Sequence, residues 1–315
     1  MPQGSKELRL QLRYFNSLAS HIREAYQTDG ILLNISVVIP VYNRPDLLKR
    51  ALCSVSKQTT QADEVLVVDD GSSSSPDLSD FHENPEVHCL RREKNLGVSA
   101  ARNWGIQQAR GEWIALLDSD DEWEPKKLER QVQYIDQNPE LLAVHTLEKW
   151  IRLGNEVIPP AYLDKSNNRL WERSLKNCLI CPSSVLLHRS VFESVGWFDE
   201  SLPVCEDYDF WLRLLLNHPI GLTEEKLVRK HGGHSDQLST TTWGMDRFRI
   251  KALEKILKRS DLTDQQRKQA LDVIIEKCSV LEQGSIKREK YEAAQKYGDL
   301  KKNYLELRAN RTCLP

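Results

Sequence analysis

From Ile35 onward the chain alternates short, β-branched apolar runs with stretches of helical spacing, and that alternation restricts its fold more than any other feature. Residues 35–40, Ile-Ser-Val-Val-Ile-Pro, are almost wholly apolar, as a strand buried on both faces requires. Residues 46–57 follow with Leu47, Ala51, Leu52 and Val55 at helical intervals. Residues 64–69 and 87–90 predict two more strands, 98–109 a helix and 113–117 the next strand. Such alternation predicts an α/β fold, a mostly parallel sheet with helices on both sides. Ligands bind outside the carboxyl ends of strands in these sheets. Polar residues collect at those ends: Pro40-Val41-Tyr42-Asn43, Asp69-Asp70-Gly71-Ser72 and Asp118-Ser119-Asp120-Asp121.

The third cluster repels itself unless a cation sits among its oxygens, because neighbouring like charges disfavour joint ionisation. Asp118 and Asp120 are two residues apart and would share a face of an extended segment. Two hard oxygen ligands suit Mg or Mn, whose shells are often completed by water and substrate phosphates. The same residues also suit a turn that opens the helix beginning near Pro125.

A chain of 315 residues has room for a large core with a helical appendage, and its formal net charge of -2 gives no reason to expect nucleic-acid binding. Seven cysteines, an odd number without framework spacing, fit a reducing cytosol. Cys178-Leu179-Ile180-Cys181 has the spacing of a zinc or redox pair but no partner pair, which favours buried thiols. The first thirty residues lack the layout of a signal peptide. The apolar stretches at 31–43 and 177–187 fall short of the ~20 residues that span a bilayer. The expectation is a cytoplasmic protein, with peripheral contact at the inner face of the cell membrane left open.

Residues 1–34 are expected to form a helical extension. After Met245, Leu271, Ile274, Ile275, Cys278 and Leu281 recur at helical spacing, and Thr263 with Gln266 fits a capping box. Residues 245–315 therefore predict a helical region that packs on the core or on another subunit. Lys287, Arg288, Lys290, Lys301 and Lys302 suit either a solvated helix face or anionic lipid.

Taken in order, Val37-Val38-Ile39-Pro40-Val41-Tyr42-Asn43-Arg44, Val67-Val68-Asp69-Asp70-Gly71-Ser72, Asn95-Leu96-Gly97-Val98-Ser99-Ala100-Ala101-Arg102-Asn103, Leu117-Asp118-Ser119-Asp120-Asp121 and Glu206-Asp207-Tyr208-Asp209 resemble the successive motifs of family 2 glycosyltransferases of the GT-A fold. The resemblance covers about residues 35–213. It implies inverting transfer of a sugar from a nucleotide-diphosphate donor, UDP by default, to a hydroxyl of a glycan or lipid-linked acceptor in surface glycan or polysaccharide assembly. It divides a catalytic domain, 35–244, into a nucleotide-sugar half (35–122) and an acceptor half (123–244).

The family's nucleotide pocket falls on Pro40, Tyr42, Asn43, Asp69 or Asp70, and Arg102. Asp118 and Asp120 match its Asp-x-Asp motif, which holds a divalent ion on the diphosphate. Asp120 is the more direct ligand, Asp118 reaches the ion or the ribose, and Asp121 is a further alternative. Asp207 matches the family's base and Glu206 is the fallback, although both also suit the start of a helix over 208–216. His234 or His231, in a polar loop with two glycines, either completes the metal shell or belongs to a closing lid. Trp197, Trp211 and Trp243 offer flat surfaces for a sugar ring, with core packing favoured for Trp211. Three alternatives are a sugar nucleotidyltransferase, a catalytically silent scaffold subunit and a retaining transferase. The first of these carries a Gly-rich loop that the Pro40-Val41-Tyr42-Asn43-Arg44 turn lacks.

Overall fold

The computed structural model describes residues 33–81, 85–165, 169–233 and 242–311. The helical extension expected at 1–34 thus falls almost entirely outside the described residues.

β1 (Ile35–Val41), β2 (Glu64–Asp69) and β4 (Trp113–Leu116) are buried along their whole length, which is why they read as continuous apolar runs. β3 (Glu86–Arg91) is the half-exposed edge. α1 (Pro45–Ser56) and α2 (Val98–Gln108) connect these strands. The next elements are β5 (Glu122–Trp123), α3 (Lys127–Gln137), β6 (Ala143–Arg152), β7 (Asn155–Val157) and α4 (Leu170–Lys176). They are followed by β8 (Leu186–His188), α5 (Ser190–Val195), α6 (Glu206–Asn217) and β9 (Gly221–Gly232). Three helices end the described chain: α7 (Asp246–Leu257), α8 (Asp264–Ile286) and α9 (Tyr291–Arg311).

Among the described residues nine strands make one sheet in the order β3-β2-β1-β4-β8-β6-β9-β5, with β7 paired to β6. β3, β2, β1 and β4 are mutually parallel, so their carboxyl ends share one edge. β8 runs antiparallel to β4, and its first residue, Leu186, lies opposite Ala115. That register brings the short turn Pro182–Ser184 to the polar end of β4. β9 pairs in parallel with β6 and antiparallel with β5, returning His231 toward the Asp118–Asp121 turn.

One apolar cluster packs α1 and α3 on one face of the sheet, and a second packs α2, α5 and α6 on the other. α2 lies so close that a Cβ at Gly105 would stand 2.5 Å from Val38 Cγ1 and 2.7 Å from Val68 Cγ2. Gly105→Ala is therefore expected to cost about 1–3 kcal/mol through overpacking. Urea unfolding would show this as a lower midpoint at unchanged slope.

A third cluster ties Tyr208 and Leu212 of α6 to Ile250 and Leu253 of α7 and to Ile274 and Cys278 of α8. Thr263 and Gln266 form the expected capping box at the start of α8. Several basic residues of this region have local partners: Lys301 with Glu282, Arg288 with the Gly284 carbonyl and Lys290 over the Trp243 ring. Among the described residues no helix is long and apolar enough to cross a membrane.

Candidate active site

At the end of β1, Asn43 adopts φ 52° and binds the loop after β2. Its N–H donates to Ser72 Oγ at 2.8 Å, and its Oδ1 accepts from Ser73 N at 2.9 Å. Tyr42 beside it is 45% exposed, leaving its ring open to stack on a flat ligand. Pro40 is buried within β1.

The two aspartates after β2 have separate tasks. Asp69 is fully buried, accepts from Ser72 N at 2.9 Å and lies 3.5 Å from Arg91, its register neighbour on β3. Asp70 accepts from Gly97 N at 2.7 Å and Leu96 N at 3.1 Å, fastening the turn that opens α2. Burial raises the Asp70 pKa above the ordinary carboxylate value, against the pull of those amides and Arg92. Gly71 between Ser72 and Asp70 has φ 82°, and a Cβ there would meet Lys94 C at 2.7 Å, so the close approach of the two loops requires glycine.

Arg102 is the centre of the site. Its guanidinium is 3% exposed and lies over the Phe198 ring. It donates to Asp118 Oδ1 at 2.6 Å, beyond β4, and to Glu206 Oε1 at 2.7 Å, in the first turn of α6. Burial opposes its charge, but the two carboxylates overcome that cost and raise its pKa further. Asn103 then pins the preceding segment, donating to Phe198 O at 2.9 Å and accepting from Phe198 N at 3.0 Å. Arg102 thereby joins Asp118, beyond β4, to the start of α6, and Asn103 ties α2 to the segment before it.

In the Asp118–Asp121 turn, Ser183 Oγ accepts from Asp118 N at 3.1 Å and donates to Asp121 Oδ2 at 2.6 Å. Asp121 is buried and also accepts from His231 N at 3.0 Å. Burial, together with Asp120 and Asp118, holds its pKa well above the ordinary value. Asp121 thus fastens the turn to the 182–184 segment and β9. Asp118 is 27% exposed at its side chain. Asp120 meets Arg44 Nη1 at 3.0 Å, and its carbonyl accepts from Arg50 at 2.5 Å. The His231 ring lies 2.6 Å from Glu122 Oε1, and burial lowers its pKa. His234 lies outside the described residues.

At α6, Cys205 takes φ 63° and the acids Glu206, Asp207 and Asp209 occupy the first turn. Glu206 is buried, and burial with Asp207 beside it pushes its pKa up to about 7 despite Arg102. Asp207 is half-exposed, accepts from Tyr208 N at 2.7 Å and has Cys178 Sγ 3.2 Å from its Oδ2.

The sequence model of the family described as "Glycosyl transferase family 2" matches residues 36–196, just over half of the chain. The chain belongs to glycosyl transferase family 2. The matched span includes the polar ends of β1, β2 and β4 and stops short of Glu206 and Asp207. An "Uncharacterized glycosyltransferase" of Rickettsia felis is 29% identical over 210 residues, covering 64% of this chain and 35% of that protein. The present chain therefore spans about a third of that relative's length. "Amylovoran biosynthesis glycosyltransferase AmsE" of Erwinia amylovora is 30% identical over 206 residues, covering 63% of this chain and 76% of AmsE. Among solved structures, S. aureus TarS 1-349 in complex with UDP-GlcNAc is similar with TM-score 0.62 and 16% identity, over 85% of this chain and 91% of that one. Mannosyltransferase PcManGT from Pyrobaculum calidifontis, in complex with GDP-Man and Mn2+, gives TM-score 0.57 and 13% identity over 94% of both chains. These likenesses show the fold, a GT-A-type α/β sheet.

Asp118 and Asp120 of this family 2 chain present two hard carboxylates at one strand end, each already beside a guanidinium. Such a pair fits a divalent ion that takes one or two carboxylates and completes its shell with water and phosphate. Among the described residues no group of three His, Cys, Asp or Glu side chains makes a self-sufficient metal site. The three tryptophans separate clearly. Trp211 is buried in the core, Trp197 is 40% exposed and stacked on Phe192, and Trp243 lies between Arg247 and Lys290 of the helical region.

Sequence reasoning missed Ser183 as the clasp of the aspartate turn, Arg44 as the partner of Asp120, and Cys178 as a neighbour of Asp207. Only Arg44 had a local signal, a lone basic residue directly after a polar strand end. The other two contacts span 62 and 29 residues and depend on sheet register.

Proposed function

We propose that the chain is an inverting glycosyltransferase that moves a sugar from a nucleotide-diphosphate donor, UDP-linked by default, to an acceptor hydroxyl in glycan assembly. The observation that carries this is the Arg102 bridge, which sets the Asp118–Asp121 turn and the first turn of α6 within one guanidinium's reach of each other. A donor diphosphate at the end of β4 and a base at the start of α6 would then flank one sugar. AmsE is named for amylovoran biosynthesis, and TarS and PcManGT are described with UDP-GlcNAc and with GDP-Man and Mn2+. These names support a nucleotide-sugar donor. We take residues 35–244 as the catalytic unit and 245–315 as a helical region packed on it.

Within that unit, the exposed Tyr42 ring stacks on the nucleotide base and the β1 and β2 ends, Asn43 and Asp69, line its edge. Asp118 and Asp120 would hold a Mg or Mn ion, which supplies Lewis-acid neutralisation of the departing diphosphate. Asp207 takes the acceptor hydroxyl's proton as that oxygen bonds to the anomeric carbon and the bond to the diphosphate oxygen breaks. Asp207 suits this role better than Glu206, because Glu206 is buried and held by Arg102 whereas Asp207 is half-exposed.

Calorimetric titration with UDP, GDP and dTDP, each with and without Mn2+, tests the donor side. One nucleotide is expected to bind with Mn2+, and Asp120→Ala should weaken it by about tenfold or more, as loss of a charge-assisted contact predicts. Equal binding by Asp120→Ala, or no metal-dependent binding at all, would remove the aspartate turn from the donor site. An NMR assignment of the product's anomeric configuration separates inversion from retention.

A further inference from the structure

The Cys178-Leu179-Ile180-Cys181 segment has no part in the chemistry above, yet its two sulfurs stand at the two carboxylate clusters. Cys178 Sγ is 3.2 Å from Asp207 Oδ2, and Cys181 Sγ is 3.8 Å from Asp121 Oδ2.

The first turn of α6 distinguishes its carboxylates by their partners. Glu206 accepts from Arg102 at 2.7 Å, and Asp209 meets Arg213 at 2.8 Å and Lys255 at 2.7 Å. Asp207 has no Lys or Arg in ion-pair contact among the described residues; its side-chain contacts are the Cys178 thiol and the Tyr208 amide. A guanidinium or ammonium partner would stabilise the charged form and weaken a base, whereas a thiol is a weak donor that fixes a carboxylate's direction without neutralising it. Burial and then Asp207 push the Cys178 thiol well above its ordinary pKa, so the sulfur keeps its proton and is the donor. Among the described residues, Lys230 of β9, Arg249 of α7, and Tyr208, Glu206 and Cys205 beside Asp207 are the other charged or titratable groups facing this pair.

We infer that Cys178 is a positioning residue for Asp207, donating its S–H to Oδ2 so that the carboxylate is held in place while staying a free base. The inference rests on Asp207 being the base, and the thiol's own proton is not transferred at any step.

The test compares wild type with Cys178→Ala, Cys178→Ser and Asp207→Asn. It follows nucleotide release from UDP-GlcNAc, UDP-glucose and GDP-mannose with Mn2+, water standing in as the acceptor. Cys178→Ala is expected to lower kcat by about three- to tenfold with the donor KM within about twofold. Cys178→Ser should restore kcat, because its hydroxyl can donate to Oδ2 in the thiol's place. A packing defect alone would not be rescued by the hydroxyl.

A second readout needs no turnover, namely alkylation of Cys178 by iodoacetamide across neutral to alkaline pH, followed by mass spectrometry. In Asp207→Asn the thiolate should form at lower pH, since the neighbouring charge is gone. Unchanged kcat in Cys178→Ala, with Asp207→Asn inactive, overturns the positioning role and leaves the transferase reading standing. Full activity in Asp207→Asn overturns the base assignment, and the positioning role falls with it. An alkylation profile indifferent to Asp207→Asn rules out the contact itself.

Discussion

Asp207→Asn is expected to lower kcat by about 10²- to 10⁴-fold, the range that loss of a general base produces, while nucleotide affinity stays within about twofold. The affinity should hold because, among the described residues, Asp207 has no hydrogen bond or ion pair to the β1, β2 or β4 ends, its partners being Tyr208 N and Cys178 Sγ. Glu206→Gln supplies the contrast. Glu206 is buried against Arg102, so its loss should disturb stability and donor binding together. Steady-state kinetics of both variants, with calorimetric nucleotide titration, checks the assignment. If Glu206→Gln loses turnover at unchanged stability and Asp207→Asn keeps it, the base is Glu206.

The parallel half of the fold was legible because β1, β2 and β4 are buried on both faces and so carry an unbroken apolar signal. The observed spans of β1, β2, β3 and α2 lie within a residue or so of those the apolar runs predict. The other half was much less legible. Residues 141–230 are irregular in apolar pattern and interrupted by Pro, Trp and turn residues, yet β6 has 10 residues and β9 has 12. Two register shifts, between Thr146 and Leu147 and between Leu147 and Glu148, break the alternation that marks a strand. Opposite them, Glu224, Glu225 and Lys226 face solvent and give β9 the composition of a loop.

For the site, the polar strand ends were visible in sequence, but their division of labour was not. Asp69 and Asp70 are indistinguishable by residue type. Only the fold shows that Asp70 is committed to the amides of Leu96 and Gly97. Likewise Asp121 differs from Asp120 only because β8 and β9 bring Ser183 and His231 N to it. Arg102, placed by its motif in the nucleotide pocket, has both guanidinium arms occupied by carboxylates 16 and 104 residues away. No local pattern encodes the second of these separations.

That double occupation makes Arg102→Met the other change with a large expected effect. Methionine fills the volume over Phe198 but leaves two carboxylates without their cation, one of them buried. Breaking a buried pair by removing one partner costs about 3–5 kcal/mol where the remaining group stays charged, so the full cost is reached only at a pH where Glu206 is ionised. The pH dependence carries the diagnostic part. Glu206 rises from its ordinary 4.5 to about 7 on folding, so its contribution to stability is full below about pH 4.5 and is lost as pH rises through about 7. Without Arg102 its pKa climbs further, and the loss continues to higher pH. The stability gap between wild type and Arg102→Met should therefore be smallest near pH 5 and widen above pH 7. Urea unfolding at a series of pH values measures this, and adding Glu206→Gln to Arg102→Met should flatten the widening. A gap constant across that range would mean that the ionisation of Glu206 is not governed by Arg102. The bridge would then be a packing contact, not the electrostatic link between the donor aspartates and the base.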